Sequence, residues 1–331
     1  MIQSFAISIR ERQLNWALTG GIPLSALEQR QGKVTWVLKP EHRRLNLFRE
    51  GWWDYFAHAE HEWARALNSS QCFAVNVFGP IVDEPARARA ALQVLLPTRR
   101  FELQDSIQVL FEFTPEGAPT WLGERDQPTQ VDVYFRINRK GRCLGHLLVE
   151  VKFSEVRFGC CRGWEAKPGQ VSSNPDSSRC LDASAILASP HTTCWLAQVE
   201  GRRYWDLISR PGSSICKEAI QSSGACPFRH GLYQIMRNRV LADELVRQSD
   251  AEWAEFAVCR HAGNEVVVAL EEPVHSLHNA IEAFRLLSSD TAIRDWDAEK
   301  VVAAISSTDE KLSAWEDWMR RRYFSAMALP G

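Results

Sequence analysis

A chain of 331 residues with 45% apolar and 24% charged side chains is long enough to bury a core as one large domain or two ordinary ones. Its formal net charge of −2 excludes a general electrostatic pull on nucleic acid, so a polyanion would need a local basic face. The start MIQSFAISIRERQLNW has no apolar signal region, no run is long enough for a membrane span, and nine cysteines at irregular spacing do not make a secreted disulfide frame. The expectation is a cytoplasmic protein.

Residues 1–44 read as an N-terminal arm with one strand, Lys33–Leu38. Over 45–67, Leu45, Phe48, Trp52, Phe56, Ala59, Trp63 and Leu67 recur at spacings of three and four, which predicts an aromatic-rich helix with Glu60 and Glu62 near its end. Ser69 or Ser70 suits the N-cap of a second helix, and Gly79-Pro80 should stop it. A further helix is expected over 84–95, with Pro85 in its first turn. Ser106–Phe113 alternates Ile107, Val109, Phe111 and Phe113 with polar neighbours, which predicts a strand. Glu112 faces away from that apolar set and is a reserve acid.

The next stretch concentrates the chemistry. Val131, Val133 and Phe135 alternate with Asp132, Tyr134 and Arg136, turn residues follow at 138–141, and LLVEVKF then runs apolar except at Glu150 and Lys152. Residues i and i+2 of a strand share a face, so Glu150 and Lys152 stand side by side while Val149, Val151 and Phe153 face the other way. A hairpin brings Asp132 close to Glu150. Two carboxylates offer hard oxygen ligands to Mg²⁺, and a neighbouring lysine can orient water and stabilise charge on a phosphate. A Glu–Lys pair on a solvated strand edge uses the same residues; the interruption of an apolar strand, where unpaired charge is costly, favours the chemical reading.

Residues 158–226 are rich in Ser, Gly, Pro and Cys and read as mostly loop, with Cys160, Cys161, Cys180, Cys194, Cys216 and Cys226 inside. A helix is expected over 227–249, where Gln234, Arg237 and Asn238 form one polar patch beside Leu232, Ile235, Met236, Val240 and Leu241. Beyond 250 a mainly helical extension is expected, with a strand-like run at 265–270 and a helix over 312–324. In that helix Leu312, Trp315, Met319 and Tyr323 should be buried, and Arg320, Arg321 and Arg322 exposed. His146 shares the face of Glu150 and reads as a packed, hydrogen-bonded histidine.

Asp132 followed by Glu150-Val151-Lys152 resembles the PD-(D/E)XK nuclease superfamily, with Val131 where a proline is usual. SSQ…N at Ser69, Ser70, Gln71 and Asn76, ahead of the hairpin, resembles a bacterial restriction-endonuclease-like branch of it. Tyr233-Gln234…Arg237-Asn238 is similar, in part, to the Gln-bearing motif of RecB-like nucleases. The resemblance covers roughly 45–245 and implies a restriction-endonuclease-like mixed β-sheet of four or five strands flanked by helices, with a nuclease core over 45–249. It implies a magnesium- or manganese-dependent nuclease acting on DNA. Asp132 and Glu150 would be metal ligands, with Glu62 (or Glu60) a third. Lys152 would position the attacking water and Gln234 would help hold substrate or water. Ser70, Gln71, Asn76, Tyr233, Arg237 and Asn238 would lie near the substrate. An inactive nucleic-acid- or protein-binding module on the same fold is the alternative.

Some nuclease relatives carry four cysteines around an iron–sulfur cluster, with one cysteine before the nuclease motif and three near the C-terminus. By that resemblance Cys161 (or Cys160), Cys180, Cys194 and Cys226 would hold a cluster or zinc. Here all four follow the Glu150–Lys152 strand and no CxxC is present, so free cysteines packed as small hydrophobes account for them equally.

Overall fold

The computed structural model describes residues 2–82, 84–164, 174–288 and 293–324. Helix α1 (Ile2–Trp16) leads into a two-stranded antiparallel ribbon of β1 (Leu27–Arg30) and β2 (Lys33–Leu38). The long helix expected over 45–67 is absent. In its place the chain makes short 3₁₀ turns, Pro40–Asn46, Glu50–Tyr55 and Ala57–Ala59. Two forces outweigh the apolar spacing. The adjacent Trp52 and Trp53 are both buried, and the Asn46 side-chain amide donates to the carbonyls of Ala64 and Ala66, each at 2.8 Å. Side-chain bonds of that kind compete with a helical ladder.

Helix α2 (Ser70–Val82) is apolar on every side, and each residue from Cys72 to Ile81 is buried. Ser69 is its cap, its hydroxyl accepting from the Cys72 N–H at 3.3 Å. The helix does not stop at Gly79-Pro80. Pro80 leaves the carbonyl of Asn76 without its usual donor, and the indole N–H of Trp315 supplies one at 2.8 Å, so the turn continues to Val82.

After α3 (Pro85–Leu95) come β3 (Ser106–Phe113), the short helix α4 (Ala118–Leu122), β4 (Val131–Arg139) and β5 (Arg142–Lys152). The three strands pair antiparallel, β4 and β5 as the expected hairpin and β3 beside it, with Val109 opposite Phe135 and Phe135 opposite Leu147. The stretch expected as loop is largely helical where it is described. It carries α5 (Ala183–Ala188), α6 (Pro190–Thr193), α7 (Trp195–Val199), α8 (Tyr204–Ile208) and α9 (Lys217–Ser222); residues 165–173 of that expectation lie outside the described residues. Its many small polar residues act as caps: Asp182, for example, accepts from the Ala185 N–H at 2.9 Å.

Helix α10 (Leu232–Ser249) carries the chain to β6 (Trp253–Arg260), which lies parallel to β5 with Glu150 opposite Val258. A small ribbon of β7 (Ala269–Val274) and β8 (Leu277–Asn279) and helix α11 (Ala280–Leu286) precede β9 (Arg294–Asp297), parallel to β6. The central sheet is therefore five-stranded and mixed, in the order β3-β4-β5-β6-β9. Two of its strands come from the part expected to be a helical extension. Charge hid β6: Glu255 sits in it, buried, held by Arg99 at 2.8 Å and Arg294 at 2.9 Å.

Helices α12 (Ala298–Ser306) and α13 (Ser313–Met319) close the fold. One core lies between α2, α3, α12 and α13 and the sheet face carrying Phe135, Leu147, Val149 and Val151. The other holds α10, α11 and the short helices against the face carrying Tyr134, Leu148, Phe256 and Val258. The expected helix over 312–324 is α-helical only to Met319, and Arg322 is wholly buried rather than exposed. Its guanidinium donates to the Asn46 carbonyl at 2.8 Å, to Gln13 Oε1 at 3.0 Å and to the Leu67 carbonyl at 3.2 Å, and lies 4.6 Å from the Trp16 ring. It thus ties both chain ends to the 45–67 segment. Arg322→Met strands those acceptors and is expected to cost about 2–3 kcal/mol in urea denaturation; an unchanged midpoint would remove this clamp from the account.

Candidate active site

The alternation of β5 sends Glu150 and Lys152 out of the sheet on the α10 side. Because β5 is flanked by β4 and β6, both charges are nearly removed from water, at 3% and 7% exposure. Each is compensated. Lys152 Nζ lies 2.9 Å from Glu150 Oε1, the Gln234 amide donates to the same oxygen at 2.6 Å, and the Asn238 amide donates to Oε2 at 2.9 Å. The i, i+4 spacing of Gln234 and Asn238 on α10 lets one helix grip both oxygens. Asp132, near the start of β4, lies beside them and accepts from the Val151 N–H at 2.7 Å.

Glu112 joins this group. Its φ of +49° breaks the regular strand conformation of β3, a strain uncommon for a residue other than glycine and found where a site re-aims a side chain. Burial, with Glu150 adding to it against a bond from Gln71, pushes the Glu112 carboxyl up to about 7. Burial and then the nearby Glu150 and Glu112 hold Asp132 well above the usual carboxylate range. Burial works against the Lys152 ammonium, but Glu150, Glu155 and Asp132 outweigh it and keep the lysine charged.

These residues floor a cleft of about 800 Å³. The start of α2 supplies Ser70 and Gln71 to its wall, and the preceding turn supplies His61 and Trp63. Gln71 fastens that turn: its amide donates to the Ala59 carbonyl at 2.9 Å and its oxygen accepts from the His61 N–H at 3.0 Å. Trp63 is 55% exposed at the cleft, and Arg10 and Trp36 also border it. A smaller cavity of about 220 Å³, with Arg162, Arg202 and Arg237 in its lining, shares Gln234 with the cleft.

The family model described as Restriction Endonuclease associating with ARP matches residues 28–324. The chain belongs to that family. The restriction endonuclease associating with ARP family points to a nuclease acting on nucleic acid, and the mixed five-stranded sheet with flanking helices is the restriction-endonuclease-like architecture expected from the sequence. No curated protein and no solved structure matched the chain. Among the described residues, no helix is long and apolar enough to cross a membrane.

In this family member the structure brings together Asp132, Glu150, Lys152, Gln234, Asn238, Ser70 and Gln71. Glu62 does not join them: with the 45–67 helix absent it is exposed and outside the cleft lining, and Glu60 pairs with Arg43 at 3.7 Å. Asn76 is no neighbour of the substrate either. It is fully buried, accepting from the Phe48 N–H at 2.9 Å and donating to Tyr323 Oη at 2.9 Å and the Asn46 carbonyl at 3.0 Å. Tyr233 packs 6.0 Å from the Tyr204 ring, and Arg237 pairs with Glu124 at 3.2 Å; both border the smaller cavity, not the acidic cleft. The arginines the sequence offers for a basic face are Arg43, Arg44, Arg99, Arg100, Arg237, Arg239, Arg320, Arg321 and Arg322; of these, Arg43, Arg44, Arg99, Arg237 and Arg239 pair with acids of the same chain. His146 is packed as expected, 2.6 Å from the Tyr134 hydroxyl and 2.7 Å from Ser249, and burial pushes its pKa down to about 4. Sequence reasoning missed His61, Trp63 and Glu155, whose positions depend on the non-helical turn and on the end of β5.

Among the described residues no three His, Cys, Asp or Glu side chains are already drawn together at the spacing of a bound ion. At the cleft the reason is visible: Glu150 is engaged by Lys152, Gln234 and Asn238, and Asp132 by the Val151 N–H. The donor set itself fits Mg²⁺, with hard carboxylate oxygens and room for water and phosphate.

Proposed function

We propose that the protein is a metal-dependent nuclease of the PD-(D/E)XK type that hydrolyses phosphodiester bonds of DNA in this cleft. One observation carries the reading: Asp132, Glu150 and Glu155 all act on the single ammonium of Lys152, and Glu112 crowds Asp132, so four carboxyls share one cation where a polyanion must enter. A divalent cation resolves that conflict, and Asp132 and Glu150, with Glu112 in reserve, would hold magnesium or manganese. When bound, the ion supplies Lewis-acid polarisation of the phosphate and a lowered pKa for water. Lys152 stays protonated and offers its N–H groups to the oxygens on which charge builds. Gln234 and Asn238 keep the Glu150 carboxylate oriented, and Gln71 holds the wall that carries Trp63.

Incubation with linear and circular, single- and double-stranded DNA tests the reading. Cleavage with Mg²⁺ or Mn²⁺ that stops on chelation is expected. A folded protein that binds DNA without cutting any of these substrates would replace the proposal with a binding module.

Trp63 presents an exposed aromatic face at the cleft mouth, and base stacking on such a face contributes about 1–3 kcal/mol. Trp63→Ala is expected to weaken single-stranded DNA binding about 5- to 150-fold with no change in thermal midpoint. Equal affinity for both proteins in a fluorescence anisotropy titration would exclude stacking there.

A further inference from the structure

Behind α10, on the side away from Glu150, four of the six cysteines of the 158–226 segment line one enclosed cavity: Cys161, Cys180, Cys194 and Cys226. They reach it from separate pieces of chain. Cys161 follows β5 and donates its N–H to the Arg229 carbonyl at 3.1 Å, while Cys180 lies in the turn Ser177–Leu181. Cys194 precedes α7, and Cys226 leads into α10, its N–H donating to the Cys180 carbonyl at 2.8 Å. The rest of the lining is mainly apolar, with Trp195, Trp205, Phe228 and Met236 among it. Cys160 and Cys216 are not part of it.

Packing of small hydrophobes leaves two buried donors here unexplained. The cysteines border a void of about 30 Å³. Arg202 and Arg229 also border the void, at 6% and 9% exposure, and each has a buried N–H without a partner, Nη1 of Arg202 and Nε of Arg229. Arg202 already pairs with Glu200 at 3.1 Å and Arg229 with Glu272 at 2.8 Å, so what is missing is an acceptor for these two N–H groups, and an unsatisfied buried donor is costly. Neutral thiols are poor acceptors.

We infer that Cys161, Cys180, Cys194 and Cys226 bind a four-iron, four-sulfide cluster, with Arg202 and Arg229 donating hydrogen bonds to its sulfurs. A cluster fits better than one zinc ion. Zinc would draw the four sulfurs to about 2.3 Å from a common point, whereas among the described residues no three of these thiols lie at single-ion spacing. Four thiols give up four protons to solvent as four Fe–S bonds form. The site would pin the start of α10, and with it Gln234, to the strand that carries Glu150.

The test is elemental analysis of the full chain, purified without oxygen or reconstituted with ferrous iron and sulfide. About four iron and four acid-labile sulfide per chain, with broad visible absorption, are expected. Cys180→Ser and Cys226→Ser should lose most of that iron, and Cys216→Ser, outside the cavity, should keep it. The wild-type stoichiometry stands even where a serine variant fails to fold. One zinc per chain without sulfide, or no metal after reconstitution, would overturn the inference. Neither measurement depends on DNA cleavage.

Discussion

Asp132→Asn is expected to abolish cleavage while leaving the metal-free protein at least as stable as the parent. Asparagine keeps the shape and one oxygen to accept from the Val151 N–H, now 2.7 Å from Asp132 Oδ2. It removes a carboxyl whose ionised form burial, Glu150 and Glu112 all disfavour. If Asp132 holds the cation as proposed, its loss removes several kcal/mol of transition-state stabilisation, about 10³-fold in rate. Relief of like-charge crowding works in the opposite direction on folding, because a buried carboxyl among other carboxyls is held there at a cost. Calorimetry in chelator and a cleavage assay in Mg²⁺ read the two effects separately. A variant that still cuts at the parental rate would place the chemistry elsewhere, and one that unfolds far more easily would contradict the crowding argument.

What could be read from the sequence was set by local geometry. The two-residue period of a strand places Glu150 beside Lys152 whatever the rest of the chain does, and the helical spacing of Gln234 and Asn238 puts both on one face. Those four residues meet in the structure. Features decided by distant partners were illegible. The 45–67 segment has helical periodicity, yet Asn46 takes the carbonyls of Ala64 and Ala66 and the adjacent Trp52 and Trp53 are both buried. Glu62 lost its expected place with that helix. Arg322 reads as an exposed helix arginine because nothing local announces Asn46 and Gln13 as its partners. Strand β6 was hidden by Glu255, which Arg99 and Arg294, from other elements, make tolerable. Glu112 stood on the correct face of β3, but its φ of +49° belongs to tertiary structure, not to pattern.

Lys152→Met should also lose cleavage, and it separates the two roles of charge in this site because its effect on stability has the opposite sign. Methionine keeps most of the stem and removes the ammonium that pairs with Glu150 at 2.9 Å. Glu150 is then left at 3% exposure with only the two amides, beside Asp132 and Glu112. Removing one partner of a buried pair costs about 3–5 kcal/mol, less whatever is recovered when a carboxyl takes up a proton. Cleavage is expected to fall about 10²- to 10³-fold through the lost donor to the phosphate oxygens. The two substitutions are then coupled. Asp132→Asn removes one of the charges that Lys152 balances, so adding it to Lys152→Met should recover part of the lost stability while cleavage stays absent. Strictly additive unfolding free energies for the double variant would mean that Lys152 and Asp132 do not share one electrostatic site.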